Sequence, residues 1–160
     1  MNRNTVLARI LLILLALIVI AGIVIGIRAI VTLVKRNSDI SKIEKRYPDA
    51  VKTDSGLRYI ILEEGSGPKA MKGRPVRVNY IGTLLNGREF ENTYIQGNPL
   101  EFNVGTNEAI KGFDEAVMDM REGEKRLIII PPELGYGSLS KGGIPGNSFI
   151  LFELELYRIR

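Results

Sequence analysis

The chain has 160 residues, enough for one globular domain and one appendage rather than two ordinary domains. It contains no cysteine and no histidine, which excludes disulfides, thiolate nucleophiles, Ser-His-Asp and Cys-His arrangements, and the commonest metal ligand. The formal charge of +4 is divided between 9 Lys/Arg against 3 Asp/Glu up to Thr53 and 13 against 15 thereafter, so the basic excess is absent from the part that folds and a nucleic-acid-binding domain is not the reading.

Ile10 to Ile27 are 18 residues without a polar side chain, which at about 1.5 Å per residue approaches a hydrocarbon core of about 30 Å. Ala29, Ile30, Val31, Leu33 and Val34 extend the run past Arg28, whose side chain can snorkel to the headgroups. A buried core helix needs apolar cover on all sides, which residues 54–160 are too few to supply. A cleaved signal peptide has a shorter apolar run and a small-x-small site in a polar stretch behind it. The expected organisation is therefore a tail (residues 1–9), a transmembrane signal anchor (10–34), a polar stalk (35–53) and a globular domain (54–160), with membrane lipid contacted by residues 10–34. The expectation is a single-pass protein with its globular domain extracytoplasmic. A literal positive-inside count, with Arg3 and Arg9 before the span and Arg28, Lys35, Arg36, Lys42, Lys45 and Arg46 after it, points the other way. Within the stalk, Ser38 or Asp39 can cap a short helix that ends near Tyr47, because Pro48 disfavours its continuation.

After Asp54-Ser55-Gly56 the hydrophobic period becomes that of strands. Val76, Val78 and Tyr80 share one face, with Arg77, Asn79 and Ile81 on the other, and Asn86-Gly87 marks a hairpin turn. Leu100, Phe102 and Val104 alternate with Glu101 and Asn103. An amphipathic helix follows, with Asn107 as its cap, Glu108 at its positive end, and Ala109, Phe113, Ala116, Val117 and Met120 on one face. Lys125 to Ile130 form a strand stopped by Pro131-Pro132. In the last strand Ile150, Phe152, Leu154 and Leu156 face in and Glu153 and Glu155 face out. Four or five antiparallel strands and one helix make an α+β domain.

The aromatic residues Tyr80, Phe90, Phe102, Phe113, Tyr136 and Phe152 fall on strands, the helix and a glycine-rich loop. Singly, each reads as core. The loops Pro131–Gly137 and Gly142–Asn147 are long, glycine-rich and not especially polar, and Tyr136 between two glycines suits a pocket wall. Val76-Arg77-Val78-Asn79-Tyr80-Ile81-Gly82-Thr83-Leu84, Gly87-Arg88-Glu89-Phe90, Phe102-Asn103-Val104-Gly105, Ile110-Lys111-Gly112-Phe113, Met120-Arg121-Glu122-Gly123-Glu124, Pro131 through Gly137, Ile144-Pro145 and Phe152-Glu153-Leu154-Glu155-Leu156 resemble, in order and spacing, an FKBP-type peptidyl-prolyl isomerase across residues 54–160.

The resemblance implies an antiparallel half-open β-sheet wrapped around one short α-helix, preceded here by an N-terminal transmembrane helix. It implies that Tyr80, Phe90, Glu91, Phe113 and Tyr136 form the catalytic set and that Leu100, Phe102, Ala109, Ile110, Ile144 and Phe152 bind substrate. Phe113 would floor the proline ring, and the Ile110 N–H and the Tyr136 hydroxyl would hold substrate carbonyls. No metal, nucleophile or proton relay is needed, and no cofactor is expected. Substrates would be proline-containing peptides and unfolded or membrane-proximal proteins. The alternative is an FKBP-like module with little turnover that docks a proline-containing partner or serves a membrane complex. The sequence departs from the family at Glu91, where Asp is usual, at Leu100, where an aromatic is frequent, at Ala109, where Val is, and at Phe113, where Trp is. These changes bear on turnover and macrolide binding more than on proline-peptide binding.

Overall fold

The computed structural model describes residues 3–160; Met1 and Asn2 of the expected tail, and the side chains of residues 3–6 and 8 with Arg3 among them, lie outside the described residues. The first element, α1, runs from Arg3 to Arg46. By contacts the chain divides into Met1–Ser41 and Lys42–Arg160. In the first unit every large aliphatic side chain from Ile10 to Val34 is exposed, from 42 % at Val24 to 70 % at Leu11. This one helix is long and apolar enough to cross a membrane.

Ser38 and Asp39, expected to cap a separate short helix, instead lie inside α1. No Gly or Pro interrupts residues 27–46, so nothing breaks the backbone ladder between span and stalk. The helix stops at Arg46, where the steric demand of Pro48 removes Tyr47 from the helical region, and Lys45 and Arg46 complement its negative end.

In the second unit seven strands form one antiparallel sheet: β1 (Val51–Lys52), β2 (Arg58–Glu63), β3 (Pro75–Leu84), β4 (Glu89–Asn92), β5 (Leu100–Asn103), β6 (Lys125–Ile130) and β7 (Ile150–Ile159). Their order is β1-β2-β6-β7-β3-β4, and β5 pairs with the first half of β3 on the edge that β4 occupies along the second half. Seven strands and a second, short helix stand where four or five strands and one helix were expected; the additions include α2 at this edge and β1 at the start. The four-residue helix α2 (Thr93–Gln96) separates β4 from β5, because Asn92 caps it by accepting from the N–H groups of Tyr94 and Ile95 and Gly97 closes it at φ +64°. β1 lies within residues 35–53, so the folded unit takes in residues that the sequence reading assigned to the stalk.

Period-two alternation sets the core. Val76, Val78, Tyr80 and Leu84 of β3, Ile128 and Ile130 of β6, and Ile150, Phe152, Leu154 and Leu156 of β7 bury one face of the sheet. Helix α3 (Lys111–Asp119) lies on that face through Phe113, Ala116 and Val117, with Met120 at its end. It starts four residues later than Asn107, the expected cap. Asn107 instead adopts φ +62°, and its N–H and that of Gly105 donate to the buried carboxylate of Asp114 at 3.2 and 2.6 Å. Glu108 turns back to accept from Asn103 and Thr106. Local side-chain acceptors thus hold residues 105–108 as a turn, and the helix begins after it. Ala109 accordingly stands before α3 and packs partly buried against the core.

Candidate functional site

Where β3, β4, β5, β7 and α3 meet, five edge-to-face ring contacts form one cluster. Phe113 lies 5.4 Å from Tyr80, 5.2 Å from Phe152 and 6.0 Å from Phe102, while Tyr80–Phe152 and Phe90–Phe152 are 5.3 and 5.7 Å apart. Such tilted pairs place the positive ring edge on the negative face of the neighbour. Gly82 makes the cluster possible. A Cβ there would sit 2.6 Å from the Phe90 ring and 3.0 Å from the Phe152 ring. Gly82→Ala is therefore expected to displace Phe90 and to cost roughly 1–3 kcal/mol of stability as an overpacked site; an unchanged melting temperature would show that the rings yield freely.

Above these rings opens a cavity of about 200 Å³. Phe113 and Phe152 lie at its base, Leu100, Ala109 and Ile110 on one side, and Tyr80, Glu91 and Tyr136 carry the polar atoms. Of the expected site residues, Phe90, Phe102 and Ile144 are not among its lining: Phe102 and Ile144 are buried in the core, and Phe90 packs against it partly buried. Two residues outside the expected site do line it: Lys141, and Glu108, which the sequence reading had put at the start of the helix. Neither lies on a periodic element, so no face assignment could have found them.

Each lining group is fixed by a local device. Ile110 precedes the first turn of α3, where helix N–H groups have no intrahelical partner. Tyr80 is tied to α2 by its N–H donating to the Thr93 hydroxyl at 2.8 Å. The loop carrying Tyr136 folds through a 3-10 turn (Pro132–Leu134) and the Lys141–Ile144 bridge, and Arg88 donates to the Gly143 carbonyl. The Lys141 ammonium stands 5.0 Å over the Tyr136 ring.

Electrostatics keep both phenols protonated. Burial, and then the Glu91 carboxylate that accepts its hydrogen bond, raise Tyr80 well above the ordinary phenol value. Burial and the charge of Glu91 raise Tyr136 too. The Glu108 carboxyl is held below its ordinary value by the Asn103 side chain and backbone and by Thr106. At neutral pH the cavity thus offers two O–H groups over an apolar base, with carboxylates at its rim.

Residues 67–157 match the family model described as FKBP-type peptidyl-prolyl cis-trans isomerase. FK506-binding protein 1A of Neurospora crassa is 43 % identical over 107 residues, covering 66 % of this chain and 89 % of that relative. The FKBP-type peptidyl-prolyl cis-trans isomerase FkpA of Escherichia coli is 41 % identical over 111 residues, 69 % of this chain and 40 % of FkpA. The crystal structure of AtFKBP13 superposes with a TM-score of 0.68 at 35 % identity, over 70 % of this chain and 99 % of that one. That of FkpA gives 0.72 at 35 % identity, over 78 % and 59 %. With the family's sequence pattern, its sheet wrapped on one helix and an aromatic cavity between them, the chain belongs to the FKBP-type peptidyl-prolyl cis-trans isomerases and is an enzyme of that class.

Proposed function

We propose that the aromatic cavity is the seat of isomerisation and that α1 holds the enzyme at a membrane. The observation that carries the first part is the convergence of rings on Phe113 beneath a cavity whose polar groups stand only at its rim. The proline ring rests on Phe113, and the Ile110 N–H and Tyr136 hydroxyl donate to the carbonyls that flank it.

Rotation about a peptide bond must cross about 18–20 kcal/mol, set by amide resonance. The cis form of an X-Pro bond lies only about 0.5–1 kcal/mol above trans, so both isomers are populated but exchange slowly. At the twisted transition state resonance is lost, and the amide becomes less polar than in either planar state. An apolar cavity therefore favours the twisted form over the planar one, and that difference is what accelerates the exchange.

Exchange NMR of a short Xaa-Pro peptide with the full chain in detergent tests this reading. Tyr136→Phe is expected to lower kcat/KM about fivefold, the effect of losing one hydrogen bond of about 1 kcal/mol. An unchanged rate would remove Tyr136 from the mechanism.

The membrane part rests on the exposed aliphatic surface of residues 10–34, which water does not tolerate and lipid does. The chain then serves unfolded or membrane-proximal proteins. The globular unit is assigned to the extracytoplasmic side against the basic residues that follow the span. Protease added to intact cells is expected to digest it, and protection would place it in the cytoplasm.

A further inference from the structure

A second cavity, of about 380 Å³, adjoins the first and shares with it Tyr80, Glu91 and Leu100. The two are lobes of one cleft with Glu91 at the neck. Beyond the neck the wall is built by α2 and the start of β5: Gln96, Asn98, Pro99 and Glu101. This wall is held in place. The Asn92 cap and Gly97 fix both ends of α2, and the Thr93 hydroxyl bonds Tyr80. Arg77 and Arg160, which do not line the cavity, hold Glu101 from outside it.

We propose that this second lobe is a specificity subsite that takes the side chain of a lysine or arginine adjacent in sequence to the substrate proline. The proposal rests on the first lobe being the proline site. An extended peptide advances about 3.3 Å per residue, so a residue next to a proline in the first lobe reaches the neck. There it meets Glu91, and further out the amide oxygens of Gln96 and Asn98, which accept from an ammonium or guanidinium. Pro99 and Leu100 offer apolar surface to the aliphatic stem of such a side chain. No lysine or arginine lines this lobe; Lys141 lines the other, on the Tyr136 side. With one carboxylate paired from outside and the other at the neck, the lobe favours a cation and disfavours an acidic side chain.

The test uses the full chain in detergent and exchange NMR of two peptide sets, varied at the residue before or the residue after proline. Each set carries lysine, acetyl-lysine or glutamate at the varied position. At one of the two positions lysine is expected to exceed acetyl-lysine about three- to fivefold in kcat/KM at low salt, the size of an exposed ion pair. Glutamate should fall below both, and the differences should shrink as salt rises. Gln96→Arg, which puts a cation into the lobe, should abolish the lysine advantage. Equal rates for lysine and acetyl-lysine at both positions, on peptides that the enzyme accelerates, would overturn the subsite and leave the proline site standing. A lysine advantage that survives Gln96→Arg would also overturn it, by moving the recognition elsewhere. A folded chain that accelerates no peptide would overturn both readings.

Discussion

Phe113→Ala is expected to lower kcat/KM about a hundredfold, and Phe113→Leu about tenfold, with most of each loss in kcat. At 1.36 kcal/mol per tenfold, these are about 2.7 and 1.4 kcal/mol of barrier. The physical reason is that Phe113 touches three other rings and forms the base on which the proline turns. Leucine keeps an apolar floor but loses the ring edges and faces that fit their neighbours. Alanine leaves a hole that admits water, and water restores the advantage of the polar planar amide over the twisted one. A floor that only bound the substrate would change KM and leave kcat alone; a floor that favours the twisted amide changes kcat.

Stability has to be separated from catalysis here. Phe113 is 2 % exposed, and a buried Phe→Ala change costs about 3–5 kcal/mol out of a total of about 5–15. The leucine variant loses less and is the decisive one. Thermal melts establish that it is folded, and the kcat of folded Phe113→Leu then reads the floor. Wild-type kcat in that variant would sink the mechanism.

The core strands were legible because their environment is regular. β3 buries the alternate residues that its sequence marks as apolar, and a one-residue slip would turn every one of them to the wrong side; β6 and β7 alternate over part of their length and are buried on both faces where they meet. The aromatic cluster followed from the same alternation, since Tyr80 and Phe152 are inward positions on strands paired directly with each other. The lining of the cavity was less legible. Phe90, Phe102 and Ile144 are apolar and belong to or pack against the same core, yet they are not part of the lining, a distinction that period alone does not encode. Glu91 was placed in the catalytic set through the resemblance alone; its carboxylate lines the cavity and helps to raise the Tyr80 phenol above its ordinary value. The start of α3 was misread because Asn107 carries a cap's chemistry, while Asp114, further along the chain, takes the backbone N–H groups and turns Asn107 out of the helix. The Ile43 position was hidden for a different reason. A lone apolar residue among Lys42, Glu44 and Lys45 has no periodic signal, and only the folded unit to which it belongs buries it.

That burial leads to the second large effect: a chain beginning at Asp54 is expected to be about 3 kcal/mol less stable than one beginning at Lys42, and to melt roughly 10 °C lower. Alternation places Arg58, Ile129 and Leu151 on the sheet face opposite α3, in one row of paired residues. A row facing water would be exposed, but these three are only 7, 1 and 3 % exposed. The end of α1 reaches this row at Arg58. Glu44 pairs with Arg58 at 3.3 Å, Arg46 reaches the Leu85 carbonyl at 3.5 Å, and Ile43 is fully buried. Most of the effect comes from Ile43, because burying and packing a side chain of that size is worth about 2–5 kcal/mol. The Glu44–Arg58 pair adds less, since Glu44 is 63 % exposed and screened. Removing residues 42–53 would also strip β1 from the edge of β2 and open Ile129 and Leu151 as an apolar patch, so the shorter chain should self-associate as well. Ile43→Ala in the full chain isolates the packing, and Ile43→Leu controls for shape. If the two truncated chains melt together and Ile43→Ala is silent, the end of α1 contributes nothing to the fold and serves only to connect. If they separate as expected, the end of α1 is part of the folded enzyme, and any shortened form of the isomerase has to keep it.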